Sequence, residues 1–105
     1  MDEAAGDRVT ERLRRRIRAD FPEPGAAEEV AGALRDLADR LGAGGVRGAA
    51  AERLAAAVVL LGCGDARRVR SAVALALTDW RDLLMAAGLG GADWPALLDA
   101  ELGAP

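Results

Sequence analysis

Val9, Leu13 and Ile17 recur every fourth residue with arginines on both sides, which predicts a helix over about Asp7 to Ala19. The apolar stripe is narrow, whereas a helix packed into a core normally shows a broader apolar face. The pattern therefore predicts a peripheral helix, lying along a groove or against another chain. Pro22 and Pro24 end it, because the residue before a proline is pushed out of the helical region. Both peptides, Phe21–Pro22 and Glu23–Pro24, are open to the cis form.

From Ala26 to Leu41 the apolar positions Val30, Leu34, Leu37 and Leu41 again follow the helical period, with Asp36 and Arg40 four apart on the outer face. Gly42 to Gly48 reads as a flexible connection. Ala49 to Leu61 predicts a third helix, apolar on all sides from Leu54 onward, and such a helix belongs in the middle of a bundle. Gly62-Cys63-Gly64 stops it, with a glycine in the left-handed cap and Cys63 as a small buried residue at the corner. Asp65 is placed to cap a fourth helix, whose inner face reads Val69, Val73, Ala76, Leu77 and Trp80. A break near Thr78-Asp79 then gives two similar segments fourteen residues apart, Asp79-Trp80-Arg81-Asp82-Leu83-Leu84 and Asp93-Trp94-Pro95-Ala96-Leu97-Leu98. Each predicts a short helix opened by an Asp cap with Trp in the first turn, and Trp80 is expected to fill the core. The expected fold is all-α, a compact bundle of five to six short helices arranged as α-hairpins in a single domain over 1–105.

Composition agrees, since the apolar half of the chain is mostly Ala, Leu and Val, and its only aromatics are Phe21, Trp80 and Trp94. It also narrows the chemistry. There is no His, Lys, Tyr, Asn or Gln, and the only hydroxyls are Thr10, Ser71 and Thr78. That removes the usual proton shuttle, a Ser-His or Cys-His nucleophile, imidazole metal ligands, Schiff-base chemistry and the P-loop lysine. No cofactor or metal is expected. The glycine pairs beginning at Gly42, Gly62 and Gly88 lack the third glycine of a dinucleotide loop, having Arg47, Arg67 and Asp93 there, and no strand precedes them. Cys63 lies before a helix N-terminus near Arg67 and Arg68, a setting that activates thiols, but no His is present to serve as its base.

The net charge of −3 is mild and argues against a dedicated nucleic-acid binder. Its distribution is uneven. Arg12, Arg14, Arg15, Arg16 and Arg18 crowd the first helix, Arg67, Arg68 and Arg70 crowd the fourth, and five acids face Arg81 from Asp79 onward. The candidate interaction residues are therefore Arg12, Arg15, Arg16, Arg67, Arg68 and Arg70. They serve either as a solvated face paired with this chain's own acids, such as Glu11 with Arg15, or as contacts to a carboxylate-rich partner. Asp79, Trp80, Arg81, Asp82 and Trp94 form a second cluster, structural or lining a pocket. One cysteine, an acidic start at Met1-Asp2-Glu3 and no spanning apolar run predict a cytoplasmic protein off the membrane.

The stretch from Ala57 to Leu102, with Gly64-Asp65, Asp79-Trp80-Arg81-Asp82-Leu83-Leu84, Ala87-Gly88-Leu89 and Asp93-Trp94, resembles a group of small all-helical bacterial proteins of the actinobacterial type. The likeness covers a little under half the chain. It implies a helical fold and brings no activity, cofactor or site residue with it. The reading that follows is a non-catalytic protein–protein interaction or regulatory module, whose partner is another protein or a second copy. An enzyme or small-ligand or metal binder built from carboxylates and Arg is the alternative, and weak nucleic-acid binding through the Arg clusters comes third.

Overall fold

The computed structural model describes residues 9–46 and 48–104, and over these the chain is all-helical. The predicted helix start at Asp7, the acidic start Met1-Asp2-Glu3 and Arg47 lie outside the described residues. Six helices follow in order: α1 (Glu11–Asp20), α2 (Pro24–Ala43), α3 (Ala49–Gly62), α4 (Ala66–Thr78), α5 (Trp80–Ala87) and α6 (Trp94–Leu102). Their ends follow local chemistry. Thr10 caps α1 by accepting from the Leu13 N–H, and Pro24 opens α2, where a missing N–H costs nothing. Asp65 caps α4 by accepting from the Arg67 N–H at 2.8 Å. Both Phe21–Pro22 and Glu23–Pro24 are trans.

α3 is the centre of the bundle and touches each of the other five helices. Leu54 through Val59 are all buried, as an all-round apolar helix requires, and the run Ala55-Ala56-Ala57 keeps that helix slim. The core is one continuous cluster with contributions from all six helices.

α1 departs from the expectation of a peripheral helix. Val9, Leu13 and Ile17 are 2%, 0% and 2% exposed, as deeply buried as the centre of α3. The stripe looked narrow because its flank on the inner face is Arg12 and Arg16 rather than aliphatic residues, and both arginines find partners inside the assembly. The inner face of α4 also differs. Val69, Ala72 and Ala76 face the core, which rotates Val73 to the margin and leaves Leu77 44% exposed.

The α3–α4 corner is tight. Cys63 itself takes the left-handed cap conformation (φ 48°), followed by Gly64 (φ 78°), and this turns Cys63 to the exterior instead of burying it. Its thiol donates to the Leu60 carbonyl at 3.2 Å. At Gly62 a Cβ would stand 2.5 Å from Cγ2 of Val69, a side chain fully enclosed by its neighbours. Gly62→Ala is therefore expected to cost about 1–3 kcal/mol as overpacking. Urea unfolding of Gly62→Ala, Val69→Ala and the double variant checks this: the glycine substitution should cost much less once Val69 is truncated, and strict additivity would refute the clash.

Candidate functional site

Arg12 is the one charged residue among the described residues that is buried. Its guanidinium forks onto Glu52 of α3, with Nε donating to Oε2 at 2.9 Å and Nη2 to Oε1 at 2.8 Å. Nη1 donates to the Asp99 carboxylate of α6 and to the Gly103 carbonyl at 2.9 Å. Thr10 completes the cluster, its hydroxyl donating to Glu52 Oε2 at 2.6 Å. A bidentate Arg–carboxylate pair is the strong form of this interaction. Here it ties α1, α3 and α6 together.

The bonds to Glu52, and then those to Asp99, hold the Arg12 guanidinium more firmly protonated than usual, against the effect of burial. Reciprocally, Arg12 and then the Thr10 hydroxyl hold the Glu52 carboxyl below its ordinary value of 4.5, although burial acts the other way. A carboxylate whose folded pKa is depressed stabilises the fold above its unfolded pKa and loses that contribution as pH falls through the folded one. Glu52 should thus stabilise fully above about pH 5 and fade below it. Glu52→Gln, less stable at pH 7, is expected to lose less stability than the wild type between about pH 5 and pH 3 in urea unfolding; parallel losses would remove Glu52 from the acid response.

Two further arginines act in the same way. Arg16, one turn after Arg12, bonds both oxygens of Asp20 at 3.1 Å and the carbonyl and carboxylate of Glu101 at 2.8 and 3.1 Å. Burial alone would lower its pKa, and the bonds to Glu101 and Asp20 outweigh that and raise it. Arg53 of α3 donates twice to the Leu89 carbonyl, at 3.0 and 2.7 Å, and lies 4.7 Å over the Trp94 ring. Half-buried Trp94 is held against the bundle through this stack. Asp93, expected to cap α6, makes no side-chain cap bond, and α6 begins on the proline in its first turn instead.

The sequence-predicted clusters are thereby separated. Arg12 and Arg16 belong to the fold. Arg15 is exposed with no ion-pair partner among the described residues, and Glu11 pairs with Arg18 at 3.4 Å rather than with Arg15. Arg67 and Arg68 are exposed, and Arg70 meets Glu29 of α2 at 3.2 Å across an exposed seam.

Four residues of the second cluster, Asp79 to Asp82, form an elbow between α4 and α5, whereas Trp94 lies apart from them at the start of α6 under Arg53. Asp79 breaks the helix (φ −152°, ψ 86°) and caps α5 by accepting from the Asp82 N–H at 3.2 Å. Trp80, expected in the core, is 47% exposed. It shares an azimuth with Leu84 and Ala87, four and seven residues on, but as the first residue of α5 it stands at the open end of that face. Arg81 lies 5.1 Å over the Trp80 ring. Half-buried Val73, three residues after Arg70, and exposed Leu77 stand one turn apart on α4, and exposed Trp80 follows across the Asp79 break with Arg81 over its ring. Glu52, Asp99 and Arg53 were not singled out from the sequence. One signal was present: Glu52 and Arg53 are the only charges in α3.

An open groove of about 280 Å³ runs between α1 and α2, floored by Ile17, Phe21, Ala27 and Ala31 with Arg18 and Glu28 at its rim. Among the described residues no three Cys, Asp or Glu side chains are grouped to hold a metal ion, and no helix is long and apolar enough to cross a membrane. No family model, curated protein or solved structure matches the chain.

Proposed function

We propose that this protein is a non-catalytic, cytoplasmic interaction module that engages a protein partner through the α4–α5 elbow. The observation that carries the reading is the exposure of Leu77 and Trp80, two large apolar side chains three residues apart on either side of the Asp79 break, with the aromatic one left half in water. Aromatic side chains flanked by arginine are the groups that dominate protein interfaces. The better-organised polar groups, Arg12, Glu52, Arg16 and Arg53, are already engaged in holding the fold together. A second copy of the chain is the simplest alternative occupant. The test is affinity capture from lysate of the source cell, comparing the wild type with a Leu77→Glu/Trp80→Glu variant. A stoichiometric protein retained by the wild type and lost from the variant, with unchanged circular dichroism, supports the reading. Equal retention, or none by either, removes the elbow as the interaction surface.

A further inference from the structure

We infer that the partner's contact element is an acidic amphipathic helix, laid along α4 with its apolar side on Val73, Leu77 and Trp80 and its carboxylates on Arg67, Arg70 and Arg81. This rests on the interaction reading above and adds the chemistry of the partner. Charge complementarity beside exposed apolar side chains points to such a partner. From Ala66 to Thr78, α4 carries three arginines and no acid. Arg67 and Arg68 are exposed with no acidic partner among the described residues. Arg70 has only the Glu29 pair, which is about 60% exposed on both sides, and such pairs contribute little and exchange readily. Arg81, stacked on Trp80, adds a cation at the far edge of the stripe. The two acids at the elbow are committed or peripheral: Asp79 caps α5, and Asp82 lies in the first turn of α5, where the helix dipole favours it.

Spacing supports a helix as the occupant. Arg70 and Leu77 are seven residues apart on one helix, about 10.5 Å at the helical rise, or two turns of a partner helix lying alongside. Apolar residues at i, i+3, i+4 and i+7 of such a partner cover the stripe while its flanking carboxylates reach the arginines. The chain's overall charge of −3 does not oppose this, because distant surface charges are screened beyond about 8–10 Å at physiological salt.

The probe is a fluorescein-labelled synthetic helical peptide with leucines at that spacing and glutamates on both flanks, read by fluorescence anisotropy against the full chain. The expected result is binding that weakens as salt rises, and that drops by about tenfold or more in Arg67→Glu/Arg70→Glu and in Leu77→Ala/Trp80→Ala, each verified as folded by its melting curve. A peptide with lysine in place of every glutamate should not bind. Equal binding of the lysine peptide, or unchanged binding to the charge-reversal variant, would overturn the inference. So would a micromolar dimer in sedimentation that Leu77→Glu/Trp80→Glu dissolves, which gives the elbow to a second copy. Salt-sensitive binding of duplex DNA lost in Arg67→Glu/Arg70→Glu would give α4 to phosphates instead. A lysate partner that depends on Leu77 and Trp80 but tolerates Arg67→Glu/Arg70→Glu would leave the module reading standing and remove only the acidic helix.

Discussion

Arg12→Ala is expected to lower the unfolding free energy by about 3–5 kcal/mol, because removing one partner of a buried ion pair strands the other. Glu52, with a side chain only 12% exposed, would keep the Thr10 hydroxyl and lose both guanidinium bonds. The Asp99 side of the cluster matters less, since that carboxylate is 56% exposed and water can replace the arginine. For a domain of this size each kcal/mol shifts Tm by roughly 4–8 °C, so a fall of at least about 12 °C should be seen by calorimetry. Arg12→Lys keeps the charge but not the fork and should fall between the two. A double Arg12→Met/Glu52→Leu variant should recover part of the loss, since an apolar pair of similar volume removes the stranded charge. A loss below about 1 kcal/mol in Arg12→Ala would show that α1 is held by its apolar side chains alone.

Leu13→Ala tests that apolar side directly, with an expected cost of about 2–5 kcal/mol. Leu13 is completely enclosed, on a helix whose sequence pattern read as peripheral. If α1 were merely laid on the surface, the residue would collapse into solvent and truncation would cost well under 1 kcal/mol. Denaturant unfolding decides between these, and the slope with denaturant should stay unchanged if α1 remains docked.

The contrast between these two neighbours shows what the sequence discloses. Helical period, with the Asp65 and Asp79 caps, predicts five to six helices where six are described, and the all-round apolar run of α3 marks it as the centre, because burial on all sides is a local compositional fact. The role of Arg12 was hidden, since its partners lie 40 and 87 residues away and nothing local distinguishes it from exposed Arg15. Trp80 failed in the opposite sense. Its azimuth belongs to the core face of α5, but whether a neighbouring helix reaches that end depends on how α4 and α5 bend at Asp79, which is set by packing. The elbow residues were therefore visible as a cluster, while their exposure was not.

The Arg12 cluster also sets an order of events during synthesis. Glu52 follows Arg12 by 40 residues and Asp99 by 87, so α1 acquires its partners in two instalments as the chain lengthens. At about 5–20 residues per second, roughly 4–17 s separate the appearance of Arg12 from that of Asp99. Once Glu52 has been made α1 can take up its α3 contacts, and until Asp99 follows it lacks those of α6, leaving one face of Arg12 and all of the Arg16–Glu101 contact open to solvent or to a chaperone. α6, made well after α1, is thus the helix that closes the Arg12 cluster around it.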